Sequence, residues 1–307
     1  MPYITVGKEN SGNIDLYYED HGSGQPVVLI HGFPLSSASW EKQTQVLIDA
    51  GYRVIAYDRR GFGNSARPVT GYTYDTFTED LHMLITRLEL RDVVLVGFSM
   101  GGGEVARYIG SHGTTRVAKA VFVSAVPPFL LKTPDNPAGV DKEVFDGIQQ
   151  AIAADRPAFL TRFFENFYNT DVLKGKLVSD QAIQLSWNVG AMASPKGTSE
   201  CVTSWLTDFR KDLTRIDIPA LVVHGDADRI CPLEVTGKRT SEMIKGSRLV
   251  VVEGAPHGLN WTHAPQLNRA LLDFLGTAKA TGAKAMAGEK SPSRVIHQTR
   301  PQSPAMR

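Results

Sequence analysis

The stretch from Val93 to Gly103 constrains this chain more than any other. Val93-Val94-Leu95-Val96 is a run of β-favouring apolar residues and reads as a short buried strand. Gly97-Phe98-Ser99-Met100-Gly101 follows, and Val105, Ala106, Tyr108 and Ile109 continue in a helical pattern. A strand, a sharp turn centred on a serine, and a helix make a nucleophile elbow. The elbow predicts a strained backbone at Ser99, of the kind that costs about 1–3 kcal/mol. Gly97 and Gly101 flank it because strand and helix cross too closely for a side chain. Ser99 Oγ is then held at the carboxyl end of the strand, with the amides of a helix N-terminus behind it.

Alternating strand and helix patterns surround the elbow. Tyr3 to Val6 and Ile14 to Tyr18 read as a hairpin around Asn10-Ser11-Gly12-Asn13. Val27 to Ile30 reads as a buried strand ending in His31-Gly32-Phe33-Pro34, followed by a helix from Ser39 to Ala50. Arg53 to Tyr57 is the next strand, and Tyr74 to Leu90 a helix with Asp75 as its expected N-cap. Val117 to Val123, Ala220 to Val223 and Leu249 to Val252 complete the strands, with helices expected over Glu234–Ile244 and Pro265–Leu275. This order predicts an α/β fold with a mostly parallel sheet covered on both faces, whose ligands bind at the carboxyl ends of the strands.

The strand pattern lapses from Pro127 to Arg215. Helices are expected there over Lys142–Ala154, Pro157–Tyr168, Ser179–Ala193 and Gly197–Phe209, with an aromatic-rich composition. The division that follows is a core of residues 1–126 and 216–276 and an inserted helical cap of 127–215. Two or three of the cap aromatics are expected to line a pocket, the others to pack the cap on the core. From Thr277 to Arg307 the chain is rich in Ala, Gly, Ser and Pro, and its basic residues are opposed by Glu289 alone, so a disordered, solvated basic tail is expected.

Composition narrows the partners. A chain of 307 residues that is 42% hydrophobic has ample core. A formal net charge of +1 gives no bulk attraction to nucleic acid or to an anionic membrane. Cys201 and Cys231 make no disulfide framework and read as free buried thiols, and no Cys/His cluster has metal-ligand spacing. No stretch approaches a membrane span, and the polar first 22 residues lack the apolar core of a signal peptide, so a soluble cytoplasmic protein is expected.

A serine nucleophile needs a base, and the base an orienting acid, which in this architecture follow in the order Ser, acid, His. Of eight histidines, His257 stands in a late loop at the correct strand end, in Ala255-Pro256-His257-Gly258. His31 reads as a structural residue of its loop and His224 as a buried, backbone-bonded one. Asp226 and Asp228, in His224-Gly225-Asp226-Ala227-Asp228, both fit the acid position, and one of them is able to act as a turn former instead. The oxyanion needs two backbone N–H donors, expected from Met100, after the nucleophile, and from Phe33, in the loop after the Val27–Ile30 strand.

Together with Tyr57-Asp58-Arg59-Arg60-Gly61-Phe62-Gly63-Asn64-Ser65, these strings resemble the α/β-hydrolase superfamily over nearly the whole chain up to Gly276. Within it they are similar to the bacterial cofactor-free haloperoxidase, aryl esterase and perhydrolase group, which includes some γ-lactamases. The resemblance implies a triad of Ser99, Asp228 and His257, oxyanion donors at Phe33 and Met100, and no cofactor or metal. It implies an acyl pocket formed by Ile230 and the cap, for which Phe129, Leu130, Ile148, Phe163, Phe167 and Trp205 are the candidates. Pro34, beside the oxyanion loop, resembles the peroxide-using members. A proline there fixes φ and removes an N–H, which can turn a nearby carbonyl toward peroxide. The implied activity is hydrolysis of small carboxylic esters with perhydrolysis beside it, on small-molecule ester or peroxide/carboxylate substrates, with homo-oligomers common in the group. Lactam or amide opening by the same triad is the alternative, and a hydrolase-fold receptor a distant one. Dehalogenase and epoxide-hydrolase readings would need Asp in place of Ser99.

Overall fold

The computed structural model describes residues 2–276. The predicted tail, 277–307, lies outside the described residues. Eight strands form one sheet: β1 (Tyr3–Glu9), β2 (Gly12–Gly22), β3 (Pro26–Ile30), β4 (Arg53–Tyr57), β5 (Val93–Phe98), β6 (Val117–Val123), β7 (Ala220–Gly225) and β8 (Arg248–Val252). Their spatial order is β1-β2-β4-β3-β5-β6-β7-β8. The β1–β2 hairpin joins antiparallel to β4, with Tyr18 opposite Tyr57, and all pairs from β4 to β8 are parallel. Strands β3, β5 and β7 are buried along their whole length, as expected where helices cover both faces.

The topology positions the site. From β3 the chain crosses to β4 on one side, then returns to place β5 on the other. The loops after β3 and β5 therefore diverge at the carboxyl ends of neighbouring strands, which is where an open α/β sheet leaves a crevice. The His31-Gly32-Phe33 loop and Ser99 both lie there.

The helices are α1 (Glu41–Asp49), α2 (Tyr74–Arg87), α3 (Met100–His112), α4 (Lys142–Tyr168), α5 (Thr170–Leu173), α6 (Asp180–Ala191), α7 (Pro195–Ser204), α8 (Arg210–Leu213), α9 (Gly237–Met243), α10 (Leu259–Thr262) and α11 (Ala264–Leu275). Helices α4 to α8 are inserted between β6 and β7. Several boundaries differ from expectation. Thr73, not Asp75, caps α2, its Oγ1 accepting from the Thr76 amide at 3.3 Å. Asp75 is instead drawn to Arg107 on α3. The two helices expected over Lys142–Tyr168 join across a kink at Asp155, whose backbone is non-helical at φ −157° and ψ 90°. The Asp155 carboxylate caps the second half by accepting from the Ala158 amide, and Pro157 sits in its first turn, where no N–H is needed. The helix expected to run to Phe209 ends at Ser204 and resumes as the short α8. The helix expected from Glu234 begins at Gly237, and the 3₁₀ turn Ser37–Trp40 precedes α1.

No helix among the described residues is long and apolar enough to cross a membrane. Cys201 and Cys231 are free and buried.

Candidate active site

Ser99 sits between β5 and α3 with φ 54° and ψ −118°, a conformation that side chains rarely adopt. Sterics and hydrogen bonds together enforce it. A Cβ on Gly101 would overlap the Ile30 carbonyl oxygen, so β3 and α3 approach each other across bare glycine. The Ser99 amide donates to Val123 O at 2.8 Å, and Ser99 O accepts from Gly102 N at 3.0 Å. Ser99 is buried as a residue and lines a cavity.

His257 Nε2 lies 2.8 Å from Ser99 Oγ, and His257 Nδ1 lies 2.8 Å from Asp228 Oδ2. An ionised carboxylate accepts only, so Nδ1 carries the hydrogen and Nε2 presents its lone pair to the serine O–H. The imidazole packs against the adjoining rings of Phe98 and Phe167, each centred 5.2 Å away. Its loop is pinned by Gly258 N donating to Phe167 O at 2.8 Å, a bond between β8's outgoing loop and the end of α4.

Asp228 and Asp226, which the residues alone left open, have different partners. Asp226 Oδ1 accepts from the Gly254 amide and shapes the turn, whereas Asp228 meets His257. Asp228 Oδ1 also accepts from the amides of Ile230 and Cys231 at 2.9 and 2.8 Å. Burial works to raise this carboxyl's pKa, but the neighbouring His257 and His224 outweigh it and hold the group well below the usual carboxylate range.

His31 has a structural part. Its Nε2 accepts from the Arg59 amide at 3.0 Å, so the hydrogen is on Nδ1, which donates to Gly32 O at 2.9 Å. The ring thereby ties the β3 loop to the β4 loop. Beneath it, Arg59 donates to Glu104 at 2.8 Å and to His31 O at 3.0 Å, and Tyr57 donates to Glu104. This buried ion pair lies between the β4 loop and α3, and motif reading had not identified it. Among the described residues no loop or turn carbonyl takes the N–H of Phe33 or Met100. Met100 is the first residue of α3, where amide donors lack helical partners.

A cavity of about 300 Å³ opens at Ser99. Of the expected pocket residues, Leu130, Ile148, Phe163, Trp205 and Ile230 line it, together with the Phe33 ring. Pro34, Phe129 and Phe167 do not. Phe167 is fully buried against His257 and Phe98, and Phe129 turns to the Arg210 guanidinium. Pro34 packs under Gly190 of α6. Phe145 and Phe159 also line the cavity, so four aromatics from the segment between β6 and β7 reach it rather than two or three. The walls are apolar, and Asn166 and Arg229 add polar groups. Arg229 follows the acid and pairs with Asp171 of α5 at 2.8 Å. Which face of a kinked helix reaches the cavity is set by its docking, so no periodicity identified Phe145, Phe159 or Asn166.

Comparison with known proteins agrees with this architecture. The family model for the alpha/beta hydrolase fold matches residues 25–264. A Synechocystis sp. protein, provisionally named a non-heme chloroperoxidase, is 64% identical over 90% of this chain and 100% of its own length. A bifunctional esterase/perhydrolase from Acinetobacter calcoaceticus is 36% identical over 90% of this chain and 99% of its own. The crystal structure of a bromoperoxidase from Bacillus anthracis superposes with a TM-score of 0.86 at 51% identity, covering 89% of this chain and 99% of that one. This chain belongs to the alpha/beta hydrolase fold family, in its group of non-heme haloperoxidases and esterase/perhydrolases.

Proposed function

We propose that this protein is a serine hydrolase of small carboxylic esters that also accepts hydrogen peroxide in place of water. The observation that carries the reading is the continuous line from Asp228 Oδ2 through His257 to Ser99 Oγ, each step 2.8 Å, opening onto an apolar cavity of about 300 Å³. The named activities of the Acinetobacter and Bacillus relatives support the peroxide branch.

In this reading Ser99 Oγ attacks the acyl carbon while His257 Nε2 takes its proton. Asp228 holds the imidazole in the required tautomer and stabilises the imidazolium. The tetrahedral oxyanion is received by the amides of Phe33 and Met100. His257 then gives its proton to the departing alkoxide, leaving an acyl-serine. Water or hydrogen peroxide attacks that ester, passing a proton to His257, which returns it to Ser99 Oγ as the carboxylic acid or peracid leaves. The peracid oxidises halide by transferring its terminal oxygen with its hydrogen, giving hypohalous acid and the carboxylate. That step needs no contact with the protein, which accounts for a halogenating activity in a hydrolase fold. Pro34 borders the oxyanion loop, and its influence on peroxide use is part of the proposal. Residues 127–215 act as the cap that supplies most of the cavity wall, over a core of 1–126 and 216–276.

The test is turnover of a short aryl acetate by wild type and Ser99→Ala, with and without hydrogen peroxide. Multiple turnover that disappears in Ser99→Ala, with peracid in the peroxide arm, is expected. Turnover that survives Ser99→Ala would overturn the reading. Pro34→Leu is expected to lower the ratio of perhydrolysis to hydrolysis, and an unchanged ratio would remove Pro34 from the account.

A further inference from the structure

His224, the fifth residue of β7, is a fully buried imidazole that the proposed steps do not use. Its Nε2 lies 2.7 Å from the carbonyl oxygen of Cys231 and 3.3 Å from Asp228 Oδ2. A carbonyl oxygen only accepts, so Nε2 carries the hydrogen. Nδ1 has no partner, and it faces Gly237 of α9 so closely that no side chain would fit between them. A hydrogen on Nδ1 would be buried without an acceptor, so the ring is the Nε2–H tautomer. The Nε2 hydrogen is donated to Cys231 O, and Nε2 itself lies 3.3 Å from the same carboxylate oxygen that receives His257 Nδ1.

The carboxylate of Asp228 is thus fixed from four directions. Oδ1 takes the Ile230 and Cys231 amides, and Oδ2 faces His257 on one side and His224 on the other. The two amides alone leave the plane of the carboxylate free to tilt about the Oδ1 contacts. His257 limits that tilt at Oδ2 through its 2.8 Å hydrogen bond, and the His224 ring, 3.3 Å from the same oxygen, limits it further. Its Cys231 hydrogen bond also ties the segment that supplies those amides back to β7, and Thr236 Oγ1 ties the same segment to α9 by donating to Pro232 O at 2.8 Å.

We infer that His224 is a positioning residue for the reaction, setting the angle of the Asp228 carboxylate and tempering the charge that it presents to His257. The titratable group facing it is Asp228, with His257 beyond that carboxylate, and Cys231 meets it through its backbone carbonyl. The α9 side presents Gly237, with the uncharged Thr236 and Thr240 beside it. The partly positive N–H end of the His224 ring, 3.3 Å from Oδ2, offsets part of the charge that the carboxylate presents to His257. Without it the carboxylate holds the imidazolium more tightly, and the pH at which the base becomes available rises.

This inference rests on the proposed hydrolase reading, and its test separates the two. His224→Leu removes the N–H, and His224→Gln keeps a donor at a similar reach. In the aryl acetate assay, His224→Leu is expected to lower kcat by about 10- to 100-fold, the effect of losing a polar contact to a charged group together with the Cys231 hydrogen bond behind it. KM should change little, and the acid limb of kcat/KM should move to higher pH. His224→Gln should restore most of kcat and return the limb to its wild-type position. A Leu variant with wild-type kinetics overturns the inference. So does a Leu variant that loses activity with its acid limb in place while Gln fails equally, because that is a packing effect. Should His224→Leu not fold, or wild type show no Ser99-dependent turnover, ¹⁵N NMR of the wild-type imidazoles decides. A hydrogen on Nε2 of His224 with Nδ1 bare is expected, and an Nδ1–H tautomer overturns the inference.

Discussion

Gly97 faces the carbonyl oxygen of Gly101 so closely that a Cβ there would overlap it and lie 2.6 Å from the Gly102 nitrogen. The obstacle is backbone on every side, so nothing can rotate away. Gly97→Ala is expected to destabilise the fold by about 3 kcal/mol or more, in the range of severe overpacking. Gly147, in α4, meets nothing within 4 Å, and Gly147→Ala should stabilise by about 0.5–1 kcal/mol. Denaturant unfolding of the two variants checks the contrast. Equal effects would mean that the elbow tolerates a side chain.

The Asp228–His257 bond predicts a loss of rate without a loss of structure. An amide in place of the carboxylate offers an N–H to Nδ1 and turns the imidazole to the opposite tautomer. Asp228→Asn should therefore lower kcat by about 10⁴-fold, with KM nearly unchanged. Asp226→Asn, altering only the Gly254 turn, should leave kcat within about threefold. A comparable loss in both variants would exchange or share the acid role.

The pH dependence of His31 has a definite sign. Burial first, and then the Arg59 charge, lower its pKa well below 6.5. The unfolded chain therefore binds a proton that the folded ring refuses. The stability it contributes is fully present above pH 6.5 and is lost as pH falls from there toward the depressed folded value, at up to ~1.4 kcal/mol per pH unit. Asp58, Asp80 and Glu104, raised by burial, contribute in the opposite sense, so a site-resolved measurement is the check. The His31 ring resonances should stay those of the Nδ1–H tautomer between pH 7.5 and 5.5. Ordinary titration near 6.5 would contradict the geometry.

Phe163 touches Phe33 edge-on at 5.6 Å and forms part of the cavity wall. Phe163→Ala should enlarge the acyl site and shift the ratio of kcat/KM for hexanoyl over acetyl esters upward by about tenfold. A few methylenes gained in an apolar pocket have effects of that size. An unchanged ratio would place the acyl chain elsewhere.

Much of this was legible because the elbow is local. Four apolar β residues, a glycine-flanked serine and a helical pattern lie within a few turns of chain, and the strained φ at Ser99 follows from their order. The order of strands and helices likewise identified the sheet's carboxyl edge as the place where Ser99, the Phe33 loop and His257 meet. Helix limits were less legible. Thr73 and Asp75 are both good caps in isolation, and Arg107, far along the chain, draws Asp75 away.

The amino-acid sequence by itself determined the fold class, the serine elbow and the set of residues proposed as its base and acid, because each rests on residue type, local order and spacing. Tertiary structure alone decided which aspartate meets His257, that His224 also lies beside that aspartate, and which aromatics between β6 and β7 reach the cavity. Those outcomes depend on the angles at which β7, β8 and α4 dock, set by packing between segments remote in sequence. A one-dimensional pattern carries no angle between such segments.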